Sequence, residues 1–221
     1  MRRARLVVLI SGRGRNFAAL LAAVEDGRIA ADIVAVVSNR ADAAGLALAR
    51  EAGLPAMVIE HVGYPDRAAF DAALAALLRE LHPDIVALAG FMRILTEGFV
   101  REFEGRMLNI HPSLLPRHKG LKTHEAVLRD GDAEHGATVH FVTPQLDGGP
   151  LVIQGRFTVS AQDDARQLAD RVLEQIECRI YPQAIAWMAA GELRCEQGEV
   201  RFRGRPLLAA LSLDDLEPGF R

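Results

Sequence analysis

The chain has 221 residues, 50% of them hydrophobic and 25% charged, which is enough apolar surface to offset the entropy of ordering and excludes disorder. A formal charge of −3 lacks the basic excess of a dedicated nucleic-acid binder. Two cysteines, Cys178 and Cys195, stand in no Cys-x-x-Cys pattern and are too few for a secreted disulfide framework, so reduced thiols in a cytoplasmic protein are expected.

The first apolar run, Leu6–Ile10, is far shorter than the roughly 20 residues of a membrane span. Arg2, Arg3 and Arg5 precede it, but the long hydrophobic region and cleavage site of a signal peptide are missing, so it reads as a buried strand. A helix from Asn16 to about Asp26 and a strand over Ile33–Val37 follow. Ala41–Ala52 is read as a helix closed by Gly53, with Pro55 just beyond. Ala56–Ile59 is a third strand, Asp66–Leu81 a helix and Ile85–Ala89 a fourth strand. Strands so uniformly apolar are buried on both faces, which predicts a Rossmann-like, doubly wound α/β fold with a mostly parallel sheet.

After Gly90 the texture changes. Thr96–Phe103 predicts a short helix, Met107–Ile110 a strand, and His111–Thr123 an irregular segment. Glu125–Arg129 is helical, and Thr138–Val142 and Leu151–Val159 are strands whose connecting turn suggests an antiparallel excursion at the sheet's edge. Asp163–Ala190 reads as helix interrupted at Pro182, Arg194–Arg203 as a hairpin around Gly198, and the last residues as a loose tail. There is no internal repeat and no linker. One domain is expected, residues 1–190 carrying the chemistry and 191–221 a hairpin and tail belonging to it.

Two places carry candidate chemistry. Ser11-Gly-Arg-Gly-Arg-Asn16 lies between strand and helix, where backbone N–H groups favour an anion. It is not the dinucleotide fingerprint, since Phe17 stands at the third glycine position and no acidic residue follows the second strand. A phosphomonoester cradled by Gly14, Arg15 and Asn16 fits it, and a plain tight turn is the competing reading. Five of the seven histidines lie between 111 and 140, without the spacing of a zinc site, so no metal is expected. Asn109 and His111 point to one face of a strand, because the side-chain period is two. With Asp147 brought in by a loop, an amide could hold an oxyanion and an imidazole could move a proton. The carboxylate could then orient the imidazole and favour its charged form, a set suited to acyl transfer.

Leu9–Asn16, Leu88–Leu95, Leu108–Pro116, His135–Thr143 and Leu146–Pro150, in this order, resemble the phosphoribosylglycinamide formyltransferases of purine biosynthesis. The resemblance runs from residue 5 to about residue 190 and includes Glu177–Pro182. It implies transfer of a formyl group from 10-formyltetrahydrofolate, as co-substrate, to the amine of glycinamide ribonucleotide. It also implies Asn109, His111 and Asp147 as the catalytic trio, and Gly14, Arg15, Asn16 and Glu177 as ribonucleotide contacts. Folate contacts would come from Arg67, Met92, Arg93, Ile94, Leu95, Asn109 and the loop Thr143, Pro144, Gln145, Leu146 and Asp147. Small-molecule substrates without nucleic acid or membrane, in a monomer or homodimer, are expected.

The chain departs from the family's usual pattern at Arg15, where serine is common, and at Lys122, where histidine is common. His118 replaces a usual aromatic residue. Lys119 and Lys122 are the only lysines. The length is expected to leave no room for the RNA-binding barrel of methionyl-tRNA formyltransferase or the regulatory domain of formyltetrahydrofolate deformylase. An inactive folate or phosphate binder is disfavoured because the trio is complete.

Overall fold

The computed structural model describes residues 2–221. Its first four strands, β1 (Ala4–Ile10), β2 (Ala31–Ser38), β3 (Ala56–Val58) and β4 (Ile85–Leu88), are the apolar runs the sequence predicts. Helices α1 (Arg15–Glu25), α2 (Gly45–Glu51) and α3 (Arg67–Leu81) connect them. After α4 (Glu97–Glu102), β5 (Met107–His111) lies parallel beside β4. After α5 (Thr123–Asp130), β6 (Glu134–Phe141) runs antiparallel to β5, and β7 (Leu151–Thr158) runs antiparallel to β6. The sheet order is β3-β2-β1-β4-β5-β6-β7. The chain therefore reverses direction across the sheet between β1 and β4, and ligand crevices in such sheets open outside the carboxyl ends of the strands there.

Both faces of the sheet are covered, and β1 shows why the period of two matters. Leu6, Val8 and Ile10 pack with Phe17, Leu20 and Leu46 from α1 and α2, whereas Val7 and Leu9 pack with Phe70, Leu74 and Phe99 from α3 and α4. In β2 the phase switches: Ala31 and Ile33 join the first face, but Ala35 and Val37 join the second. An extra residue causes it, since Leu6 pairs with Ile33 while Val7 pairs with Ala35. β6 begins at Glu134 rather than at Thr138. Gly136 interrupts the apolar pattern at its start; a Cβ there would lie 1.9 Å from the Gly155 carbonyl oxygen of β7, so the strand requires glycine.

The helix expected over Asp163–Ala190 is interrupted, but not at Pro182. α6 (Ala165–Arg171) opens on a capping box of Asp164 and Gln167, Val172–Glu177 widens into a π-helical turn, and α7 (Cys178–Ala189) runs through Pro182. A proline ring presses on the carbonyl four residues back, here that of Cys178. Cys178 closes the wide turn, its N–H reaching the carbonyl of Leu173, so the irregularity falls one turn before the proline. Tyr181 is fully buried in α7, and its hydroxyl reaches the carbonyls of Leu88 and Leu108, each at 3.0 Å. Tyr181→Phe removes this shared donor and is expected to lower the urea-unfolding free energy by about 1–2 kcal/mol.

The tail is not loose. β8 (Leu193–Glu196) and β9 (Glu199–Phe202) form the expected hairpin, and β10 (Arg205–Pro206) adds a third strand. Beyond it Leu211 bridges to Ile153 of β7, and Leu216 and Phe220 are buried in the core cluster that contains β1. Glu217 accepts from the Trp187 indole at 3.0 Å and from Arg203 at 2.8 Å. These anchors have neither helical nor strand spacing, so periodicity does not reveal them. No helix among the described residues is long and apolar enough to cross a membrane.

Candidate active site

The ends of β1, β4 and β5 meet at the carboxyl edge of the sheet. After β1 the chain enters α1 with Gly14 at the N-cap position, φ 73°, no side-chain cap and no acidic residue in the first turn. The first N–H groups of α1 are therefore left for an anion. A Cβ on Gly14 would come within 2.8 Å of the Gly45 Cα, so both the positive φ and the approach to α2 demand glycine. Asn16 donates through Nδ2 to Glu177 Oε2 at 2.6 Å. The π-helical turn brings in Glu177, which is 7% exposed. Burial pushes the Glu177 carboxyl above its ordinary pKa, opposed by the hydrogen bond from Asn16 and the charge of Arg15.

A cavity of about 360 Å³ opens beside this loop, lined by Arg13, Arg15, Asn16, Met92, His124 and Glu177 among others. The Arg15 guanidinium pairs with Asp170 at 3.2 Å. Arg13, on the same wall, has no carboxylate partner among the described residues. A larger cavity of about 730 Å³, lined by Arg2, Arg3, Arg106 and Arg194, opens at the opposite end of the strands, away from this edge.

The structure brings Asn109, His111 and Asp147 together. His111 ends β5 and is 6% exposed. Its Nε2 lies 2.9 Å from the carbonyl oxygen of His118, and since a carbonyl only accepts, Nε2 carries the proton. Nδ1 is thereby left facing Asp147, with Oδ2 at 3.5 Å. Asp147 sits on the loop after β6 at φ 44°, a left-handed conformation that aspartate tolerates, and Oδ2 accepts from the Gly120 N–H at 2.8 Å. The segment 118–120 thus holds both the histidine and the carboxylate.

His140, which the sequence reading left out of the site, holds the third member. It lies directly across from Asn109 in the β5–β6 pair. Its Nδ1–H donates to the Phe141 carbonyl at 2.9 Å, so Nε2 accepts from Asn109 Nδ2 at 3.0 Å. Burial lowers the pKa of His140, which keeps it an uncharged acceptor at neutral pH. The second N–H of the Asn109 amide has no acceptor among the described residues. Only cross-strand register reveals His140, because 31 residues separate it from Asn109.

Ser113 and Cys178 behave as structural groups. Ser113 is fully buried and donates to the Arg117 carbonyl at 2.7 Å; Cys178 is half-buried and its thiol pKa is raised by burial. Thr138, across from His111, steadies the turn after β5 by donating to the Ser113 carbonyl at 2.6 Å and accepting from the Leu115 N–H at 3.1 Å.

A second cavity adjoins the trio, lined by Arg93, Ile94, Leu95, Asn109, His140 and the loop from Thr143 through Pro144, Gln145 and Leu146 to Asp147. Arg93 lies over the Phe70 ring at 5.6 Å, and its buried Nε has no protein partner among the described residues. Two residues expected beside it lie elsewhere. Met92 lines the cavity at the glycine loop and is 62% exposed, and Arg67 is exposed at the start of α3, outside the lining of either cavity. Lys122 takes φ 58° at the N-cap position of α5, which makes it a backbone turn residue here.

The formyl transferase family model matches residues 4–185. Phosphoribosylglycinamide formyltransferase of Escherichia coli strain K12 is 45% identical over 202 residues, 91% of this chain and 95% of that protein. The human trifunctional purine biosynthetic protein adenosine-3 is 43% identical over 90% of this chain, which matches only 20% of that longer protein. Among solved structures, phosphoribosylglycinamide formyltransferase from Coxiella burnetii superposes with a TM-score of 0.89 at 44% identity, covering 95% of this chain and 99% of that one. Glycinamide ribonucleotide transformylase 1 from Symbiobacterium toebii gives a TM-score of 0.87, also at 44% identity, covering 91% and 94%. With its fold, its strand-end trio and these relatives in agreement, the chain belongs to the formyl transferase family, within the phosphoribosylglycinamide formyltransferases.

Proposed function

We propose that this enzyme transfers the formyl group of 10-formyltetrahydrofolate to the amine of glycinamide ribonucleotide, in purine biosynthesis, with Asn109, His111 and Asp147 carrying the chemistry. The observation that carries the reading is one imidazole whose Nε2–H is spent on a backbone carbonyl and whose Nδ1 faces a carboxylate, beside an amide with one N–H to spare. Two cavities flank this trio, as two substrates require.

In the cavity beside Asn109, Ile94, Leu95 and Leu146 offer an apolar slot, and the unpartnered Arg93 Nε suits a polar heteroaromatic ring, so the residues present fit a folate. In the other, the free N–H groups of α1 take the ribonucleotide's phosphate, and Glu177 holds its neutral end. The amine then attacks the formyl carbon, forming the new C–N bond. The free N–H of Asn109 and an Nδ1–H of His111 hold the developing oxyanion. As the old C–N bond breaks, His111 delivers a proton to the departing folate nitrogen and regains one from the attacking amine. Asp147 orients the ring and stabilises the positive charge that His111 carries meanwhile. Two unpaired thiols suit a reducing compartment, so we place the reaction in the cytoplasm.

The pairing of Arg15 with Asp170 leaves Arg13 as the guanidinium free to reach a bound phosphate. Arg13→Ala is expected to raise the KM for the ribonucleotide about 5- to 10-fold, and Arg15→Ala to change it less than about 2-fold, in steady-state assays at fixed folate. Equal effects of the two would contradict the assignment. The function itself is tested by offering 10-formyltetrahydrofolate with glycinamide ribonucleotide, initiator tRNA or water in parallel. Formyl transfer to the ribonucleotide alone is expected; formylation of tRNA or acceptor-free release of formate overturns it.

A further inference from the structure

Behind the ribonucleotide cavity lies a second pair of histidines that the reaction above does not use. His124, in the first turn of α5, lines that cavity, and His135, near the start of β6, is fully buried behind it. His124 Nδ1 and His135 Nε2 are 2.8 Å apart, with the rings edge to face at 77°. His135 also packs against the Phe157 ring, with centroids 6.0 Å apart and the planes at 72°, and its Nδ1 has no hydrogen-bonding protein partner among the described residues.

One proton must sit between the two rings, and there are two ways to place it. If His124 Nδ1 donates, His135 carries its own proton on Nδ1 as a buried, unpartnered N–H, and His124 meets the cavity with a bare Nε2. If His135 Nε2 donates, its orphaned Nδ1 is only an unused acceptor, and His124 meets the cavity with an Nε2–H. A buried N–H without a partner is the rarer and costlier of the two. A bare nitrogen would also repel the oxygen-rich ligand that the uncapped end of α1 draws into the same cavity.

We infer that His124 is a ribonucleotide-binding residue whose Nε2–H donates to an oxygen of the phosphate or ribose, and that His135 is a positioning residue that fixes this tautomer. The inference rests on reading the cavity as the ribonucleotide site. Burial works in the same direction by keeping both rings uncharged at neutral pH. His135 is lowered to about 4, chiefly by desolvation and then by His124, with His118 and Arg171 adding to the lowering and Asp132 opposing it. His124 is lowered by desolvation, against Glu125 and together with His111. The pair is thus a neutral hydrogen-bond relay, which distinguishes phosphate and hydroxyl oxygens from groups that themselves only donate.

Two measurements test this. Long-range ¹⁵N–¹H spectra of the unliganded enzyme at pH 7 are expected to show His135 and His124 both in the Nε2–H form. An Nδ1–H form for either ring overturns the relay, whatever the cavity binds. His124→Ala is expected to raise the KM for glycinamide ribonucleotide about 10-fold with kcat within about 2-fold and the folate KM unchanged. His124→Gln, whose amide N–H sits where Nε2–H was, should recover most of the loss. His135→Gln keeps a donor to His124 and should stay near wild type, whereas His135→Leu should shift His124 toward mixed tautomers and raise the same KM. Correct tautomers with a rise in the folate KM instead would contradict the cavity assignment while leaving the relay standing. Unchanged KM values in His124→Ala would remove His124 from binding altogether.

Discussion

In His111→Ala, kcat for formyl transfer is expected to fall at least about 100-fold, while KM for both substrates changes little and the fold survives. The size follows from what the side chain does. His111 has one nitrogen tied to the His118 carbonyl at 2.9 Å and only the other left for the reaction, so no neighbouring group inherits its proton transfer. His140 does not substitute, because both of its nitrogens are engaged, with Phe141 and Asn109. Asp147→Asn should approach the same loss by a different route. It keeps an acceptor for the Gly120 N–H and removes the negative charge that stabilises the imidazolium formed during transfer. Single-turnover rates separate these effects from product release. Near-normal chemistry in both variants would sink the proposed mechanism.

Gly149→Ala is the change with the largest expected effect on stability, about 3 kcal/mol, together with a roughly 10-fold loss of kcat. A Cβ at this position would lie 1.8 Å from the Phe141 carbonyl oxygen, so backbone must move. Phe141 is tied in both directions: its N–H donates to the Pro150 carbonyl at 3.0 Å, and its carbonyl accepts from His140 Nδ1. Displacing that carbonyl releases His140, and His140 is what holds the Asn109 amide. Urea unfolding measures the first effect and steady-state kinetics the second. A variant within about 0.5 kcal/mol of wild type would show that the loop relaxes without disturbing β6.

The inner parallel strands are legible because they are buried on both faces, so Leu6–Ile10 and Ile85–Ala89 stand out as short apolar runs, whereas the edge strand β3 is only partly buried. Legibility failed wherever a contact across the chain overrides a local cue. The sequence pattern starts the strand at Thr138, yet β6 already includes Gly136, where β7 passes too close for any side chain. Pro182 reads as a helix break, yet the irregularity falls at Val172–Glu177, where it also delivers Glu177 to Asn16. Leu216 and Phe220 read as an unstructured end, yet they close the core. In the site, the types and spacing of Asn109, His111 and Asp147 suggested acyl transfer, and the family resemblance named the reaction. The loop's backbone N–H groups, that of Arg15 included, are local features, whereas the partner of the Arg15 guanidinium, Asp170, lies 155 residues away and is invisible to local pattern.

By itself the sequence determined the fold class, the glycine loop at the end of β1 and the residue types of the trio. Those are properties of local periodicity, backbone conformation and side-chain chemistry. Only the tertiary structure decided which nitrogen of each histidine is available, because the partners that fix a tautomer come from other segments. The His118 carbonyl does this for His111, and the strand register that sets His140 against Asn109 does it for the amide. Imidazole chemistry was readable from composition, but its direction depends on hydrogen bonds closed by folding.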